Sequence, residues 1–278
     1  MPEAEHLMAY HIVTSGRCYA ARIGDPPIEM LPGDVIVFPQ GDPHFMSSDI
    51  RVLLKDDRFG VRPARYADTV SIGDGNRVDA TLVCGFLGCD RLPFNPLLAS
   101  LPNTVHARGL SDGYLDAFTR RAVEESKPER AGGASVLTRL AELMFIDVLR
   151  HHLGRLPAGQ SGWLAGLADP VVGNALALLH ADPARAWTLE ELAGEVATSR
   201  SGFAQRFASV IGHPPMQYLS AWRMQIAAGL LAHGNTKISA VAAAVGYDSE
   251  AAFSRAFKKA TGVAPGAWRG RKTGATPG

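Results

Sequence analysis

The sequence predicts an α+β protein of two domains, a β-rich half closed by helices and then an all-α half that carries a helix-turn-helix twice. Three observations predict it. Apolar periodicity shifts from short strand-like runs to helical spacing after about residue 110, the formal charge changes sign between the halves, and a unit of helix, turn, helix, Gly and Pro occurs twice near the C-terminal end. At 278 residues the chain is long enough for two domains of ~100 to 200 residues each.

Composition narrows the class. With 46% hydrophobic and 20% charged residues the chain is neither disordered, collagen-like nor a disulfide scaffold. No apolar run approaches the roughly 18 residues that span a bilayer, and the start MPEAEHLMAYH lacks the basic-then-apolar layout of a secretory signal, so a cytoplasmic protein without membrane attachment is expected. Three cysteines, Cys18, Cys84 and Cys89, form no CxxC pair, which suits a reducing compartment and argues against a zinc finger. Residues 1–169 hold 17 Lys/Arg against 21 Asp/Glu, whereas residues 170–278 hold 11 against 6. A basic module behind a mildly acidic one points the C-terminal half toward a polyanion.

The first half reads as strands at HLMAYHIV, RCYAARI, DVIVFP, IRVLLK and DATLVCGFL, punctuated by Gly, Pro and Asp. Helices follow at 112–125 and along SVLTRLAELMFIDVLRHHL, where Leu137, Leu140, Met144 and Val148 make one stripe. The Gly/Pro-rich stretch 154–170 is the expected linker. Beyond it helices are expected at 171–181, 188–196, 199–211, 214–232, 238–245 and 249–261. Thr188 and Glu191 form a capping box, Ser199 and Asp248 are expected N-caps, and Gly212 and Gly262 are expected left-handed C-caps followed by Pro214 and Pro265.

The repeat is plain when TLEELAGEVATSRSGFAQRFASVIGHPP is set beside KISAVAAAVGYDSEAAFSRAFKKATGVAP. Phe203 with Phe207 and Phe253 with Phe257 are spaced by four, so each pair lies on one helix face and is expected in the core together with Trp268. The opposite faces carry Gln205 and Arg206 in the first copy and Glu250, Ser254, Arg255 and Lys258 in the second. A short helix, a turn and a polar second helix form the unit that lays its second helix in a DNA major groove. Two copies would read two successive groove segments, held about 34 Å apart by the helix between them.

The stretch GYDSEAAFSRAFKKATGVAPGAWR, 246–269, resembles the signature of the AraC/XylS family of bacterial transcription regulators, and residues 171–271 follow that family's double helix-turn-helix throughout. The resemblance implies base contacts from Ser201, Ala204 and Gln205 in the first copy and from Ser249, Glu250 and Arg255 in the second. It implies phosphate contacts from Arg223, Lys258 and Lys259. The family more commonly has Arg where Gln205 stands and an apolar residue where Arg206 stands. Gln favours adenine where Arg favours guanine, so a different operator is implied, and Ala204 offers a methyl contact alone.

In the first half, Gly33 to His44 has the spacing G-x5-P-x-G-x2-H and resembles the second motif of the cupin barrel, with Val35–Phe38 as a buried strand and His44 turned inward. Residues 5–108 resemble the cupin-like sensory domain of one branch of the same family, including VCGFLGCDRLPFNPLLASLP at 83–102. Members of that branch commonly have more residues before the first strand, so the start is expected to be clipped or misassigned. His6 and His11 provide no His-x-His, so no metal and no cofactor are expected. His11 and His44 are candidate pocket residues, and Cys84 and Cys89 are a candidate redox pair, against the plainer reading of small buried side chains.

The division expected is 1–110 cupin-like domain, 111–153 helical dimerisation segment, 154–170 linker, 171–271 DNA-binding domain and 272–278 tail. The function expected is a regulator, not an enzyme, answering a small-molecule or redox signal. Its expected partners are double-stranded promoter DNA and a second copy of the chain, with RNA polymerase a further candidate. A cupin metalloenzyme fused to a DNA-binding domain is the alternative; a DNA alkyl-acceptor would need a nucleophilic cysteine cluster that Cys18 alone does not supply.

Overall fold

The computed structural model describes residues 6–53, 77–110, 114–125, 131–157 and 160–273. Its strands are β1 (His6–Gly16), β2 (Cys18–Arg22), β3 (Ile28–Met30), β4 (Val35–Phe38), β5 (His44–Ser47), β6 (Ala80–Cys89) and β7 (Val105–Ala107). Its helices are α1 (Ile50–Leu53), α2 (Pro96–Ser100), α3 (Tyr114–Glu125), α4 (Gly133–Leu153), α5 (Trp163–Ala168), α6 (Pro170–Ala181), α7 (Leu189–Glu195), α8 (Arg200–Ile211), α9 (Pro215–His233), α10 (Ile238–Ala244), α11 (Glu250–Thr261) and α12 (Pro265–Thr273). They gather into two compact units. One takes the chain up to Cys89 and from Leu101 to Arg155, and the other takes Asp90–Ser100 and everything from Leu156 onward.

In the first unit two antiparallel sheets, ordered β6-β1-β4-β7 and β3-β2-β5, share a core of Ala9, Val13, Ile36 and Phe38 from one sheet and Cys18, Ala20 and Met30 from the other. All four residues of β4 are buried, as a strand read from VIVF between turn residues should be. The turn before β4 is held by Asp34, a buried carboxylate that accepts from the Leu31 amide at 3.0 Å, the Gly109 amide at 3.0 Å and the His106 ring at 3.2 Å. Those bonds tie the turn to the exit of β7 and satisfy a charge that burial would otherwise penalise. On α4 the buried face is Ala141, Met144 and Val148, while Leu137 and Leu140 are half-buried.

Three expectations need correction here. The run IRVLLK begins as the short helix α1, because Asp49 folds back on the Arg51 amide at 2.9 Å and starts a helical turn where a strand was expected. The stretch 154–170 contains α5, whose Leu164 and Gly166 are buried, so much of the expected linker is packed. Residues 90–100 belong with the second unit: Phe94 sets its ring 5.5 Å from Tyr218 and its amide on Gln225 at 2.9 Å, and Ser100 accepts from the Trp163 amide at 3.0 Å. Residues 274–278 of the expected tail lie outside the described residues.

The second unit has two hydrophobic cores. One gathers Leu176, Leu179, Trp187, Leu192, Phe203, Phe207, Tyr218 and Leu219; the other gathers Met224, Ala227, Leu231, Val241, Val245, Phe253, Phe257 and Trp268. Helix α9 contributes its first half to the first core and its second half to the other. The Thr188 and Glu191 capping box forms as expected, and Gly212 and Gly262 close α8 and α11 in left-handed conformations at φ 83° and 79°. The cap of α11 is Ser249 instead of Asp248, its hydroxyl accepting from the Ala252 amide at 3.2 Å.

Truncating a fully buried ring here removes its transfer free energy and leaves a cavity, so Phe257→Ala is expected to destabilise the second unit by about 3–5 kcal/mol. Thr188→Ala, which removes one exposed cap, should cost about 1 kcal/mol. Denaturant melts of both variants check the ordering.

Candidate nucleic-acid interface and sensory pocket

Helices α8 and α11 each follow a shorter helix and a tight turn, and each starts on a serine cap, Ser199 on the Gly202 amide and Ser249 on the Ala252 amide, both at 3.2 Å. Phe203 and Phe207, and Phe253 and Phe257, are buried in full with ring centroids 5.7 and 5.5 Å apart. Rings four residues apart consume one face, which leaves Ser201, Gln205 and Arg206 exposed and Ala204 half-buried on α8. On the second copy Ser249, Glu250, Arg255, Lys258 and Lys259 are exposed. The N-terminal half of each helix therefore presents polar side chains outward, as a helix that enters a major groove must.

Two of the expected cations are engaged within the protein. Arg206 pairs with Asp169 at 2.9 Å, the residue that also caps α6 by accepting from the Val171 and Val172 amides. These partners hold the Asp169 carboxyl below its usual range even though desolvation works the other way. Arg223 points into the unit: its guanidinium donates to the carbonyls of Pro183 at 2.6 Å, Arg185 at 2.8 Å, Gly246 at 3.4 Å and Ala184 at 3.5 Å. Its expected phosphate contact gives way to that internal role, because four backbone acceptors surround a group that can only donate.

In the first unit the expected pocket histidines meet one of the cysteines. His11 and Cys84 are cross-strand partners on β1 and β6, and the thiol lies 2.8 Å from His11 Nδ1. His11 Nε2 lies 2.8 Å from His44 Nε2, and His44 Nδ1 donates to the Asp42 carbonyl at 3.0 Å. The His44 ring stacks on Phe38 with centroids 4.0 Å apart. Burial, and then the neighbouring His44, lower His11 to a pKa of about 3. Crowding by the surrounding protein pushes the Cys84 thiol up to about 12, although part of that residue reaches solvent. A small cavity of about 170 Å³ opens beside Phe38, among Ala20, Arg22, Pro26, Ile28 and Ile36, and neither of the expected pocket residues His11 and His44 lines it.

The expected Cys84–Cys89 pair does not form. The two residues lie five apart on an unbroken strand, on opposite faces and about 16 Å distant along it, well beyond the reach of a disulfide. Among the described residues no three His, Cys, Asp or Glu side chains converge as metal ligands.

Comparison with known proteins decides the family. Residues 1–154 match the family described as Cupin and residues 192–271 match the one described as helix-turn-helix domain. A protein of Streptomyces lividans described as an AraC-like transcription regulator is 35% identical over 98% of this chain and 89% of its own length. One of Streptomyces antibioticus with the same description is 36% identical over 96% and 88%. The HTH-type transcriptional regulator AlkR of Acinetobacter baylyi is 30% identical over 92% and 85%.

The chain belongs to the AraC family of transcription regulators.

As an AraC-family regulator it binds DNA through the helix-turn-helix half and carries a cupin region ahead of it. Which face of α8 and α11 is outward follows from the spacing of the phenylalanines. The link between His11 and Cys84 does not, because it depends on the register of two strands some seventy residues apart. The neutral His11 ring sets a pH dependence. Its folded pKa lies below the ordinary 6.5, so the stability it contributes is complete above pH 6.5 and is lost as pH falls toward 3. His11→Gln should flatten that acid limb in denaturant melts taken across the range, and an unchanged limb would assign it to other groups.

Proposed function

We propose that this AraC-family protein reads a promoter duplex with Ser201, Ala204 and Gln205 in one major-groove segment and Ser249, Glu250 and Arg255 in the next, with Lys258 and Lys259 on phosphates. One observation carries the reading: in both copies the paired phenylalanines are buried while a polar side chain between them, Gln205 in the first and Arg255 in the second, is exposed on the other face. Arg206 can join a phosphate only by sharing its pair with Asp169. Cations on α11 and an acid at its first position fit a helix that meets phosphates along its length and a base edge at its start.

The signal we infer is a small molecule taken up beside Phe38, among Ala20, Pro26, Ile28 and Ile36. The cavity there is bounded mainly by apolar side chains, and the Arg22 charge at its rim is already answered by Asp25 at 2.8 Å and Asp42 at 3.1 Å. A thiol held protonated is a poor nucleophile, and the missing Cys84–Cys89 bridge weakens the redox reading further. Strand β6 runs from Cys84 directly into residues 90–100, which pack in the DNA-binding unit, so a ligand that moves β6 has a short covalent route to the helix-turn-helix pair. A second copy of the chain is the proposed partner for the exposed Leu143 and Ile146 of α4, and RNA polymerase is proposed on the family resemblance alone.

The test is enrichment of duplexes from a random pool by the full chain, followed by titration of the recovered sequence. Arg255→Ala is expected to weaken binding by about 1–3 kcal/mol and to relax preference at one position. Lys258→Ala and Lys259→Ala should each reduce the salt slope of log affinity by about 1 without changing preference. No enrichment over random sequence would overturn the reading.

A further inference from the structure

Each hydrophobic core of the second unit holds one helix-turn-helix, and the two cores have no buried residue in common. Helix α9 joins them, but one helix leaves torsion about its own axis open unless something off the axis blocks it. The blocking contact is at Arg223, which stands on α9 between Leu219 of the first core and Met224 of the second. On one side its guanidinium takes the carbonyls of Pro183, Ala184 and Arg185, in the turn that leads into α7. On the other it takes the carbonyl of Gly246, in the turn between α10 and α11. Both turns are anchored in their own cores. Trp187 is buried in the first, its indole donates to the Asp182 carbonyl at 2.9 Å, and the Arg185 guanidinium lies 3.8 Å over its ring. Tyr247 packs on Phe253 in the second, with ring centroids 5.8 Å apart.

The two copies differ at one telling position. The left-handed residue after the first helix of the unit is Ala197 at φ 52° in the first copy and Gly246 at φ 77° in the second. The turn itself therefore accepts a methyl group. What Gly246 cannot accept is its neighbour: a Cβ there would come 2.3 Å from the Ala184 carbonyl oxygen. The glycine serves a close approach between the two halves, and Arg223 fills the same junction with donors.

We propose that Arg223 and Gly246 form a clamp that fixes the two recognition helices relative to each other, so that Arg223 is the positioning residue that sets the spacing between the two operator sub-elements. The role rests on the DNA-binding reading above and adds to it. A guanidinium fork spans four carbonyls where an ammonium reaches one or two, so Arg223→Lys should restore the clamp only in part.

The experiment uses the full chain, the duplex recovered by enrichment, and versions with one or two base pairs inserted between its sub-elements. Wild type is expected to lose about tenfold or more on insertion, the cost of misplacing one recognition helix. Arg223→Met and Gly246→Ala should each weaken binding to the original spacing and lose under about threefold on insertion, while binding a duplex with one sub-element as wild type does. Thermal melts identify any variant that has merely unfolded, and Arg223→Lys, expected to lie between wild type and Arg223→Met, is then the measurement that decides. Retention of wild-type spacing discrimination by the folded variants would overturn the clamp, as would a salt slope reduced by about 1 at every spacing, which would mark Arg223 as a phosphate contact. Failure of wild type itself to prefer any duplex would instead overturn the DNA-binding assignment, and the clamp with it.

Discussion

Burial of two aromatic rings four residues apart is the constraint on which the DNA-binding half depends. A helix of 12 residues is marginal in isolation, and the polar faces of α8 and α11 supply nothing that would hold them. Phe203 with Phe207 and Phe253 with Phe257 each remove their side chains from water, worth about 2–3 kcal/mol apiece, and in doing so leave one rotation of the helix about its axis. The exposure of Ser201, Gln205, Glu250 and Arg255 is the complement of that burial. The outward face is thus specified by the residues buried beneath it.

The same logic explains which parts of the molecule were legible in the sequence. Caps, left-handed glycines and the Phe spacing are local, so the helices from α6 to α11 follow from the sequence to within about a residue. So does β4, flanked by its Gly-Asp turn and Pro39. Strands β3, β5 and β7 are three or four residues long and carry Pro, His or polar neighbours, so their pairing partners define them more than their own pattern does. Asp49, a cap that faces forward, turns an apolar run into α1. Helix α5 hides in a Gly-rich stretch because its burial comes from packing, which covers Leu164 and Gly166.

Long cationic side chains were the least legible of the site residues. Arg223 occupies a position where the family pattern suggests phosphate and Arg206 lies on the outward face of α8, and nothing local distinguishes a guanidinium aimed outward from one that folds back. The deciding partners, Asp169 and the carbonyls of the 183–185 turn, are 37 to 40 residues away. Gly246 carried a faint signal: the repeat tolerates Ala197 at the matching place, so a glycine there asks for a reason outside the turn.

The cluster of His11, His44 and Cys84 has a direction that follows from one carbonyl. The Asp42 carbonyl can only accept, so His44 Nδ1 holds its proton and His44 Nε2 is a bare lone pair. That lone pair faces His11 Nε2, which must then be the protonated nitrogen, leaving His11 Nδ1 to accept from the Cys84 thiol. Every imidazole lone pair is engaged and every proton is placed without a net charge, which is the arrangement a desolvated site favours. Adding a proton would set two N–H groups head to head between the rings, and removing the thiol proton would leave an anion beside a ring that has no further proton on that side. The polar groups of the cluster therefore satisfy one another from the Asp42 carbonyl through both rings to the Cys84 thiol.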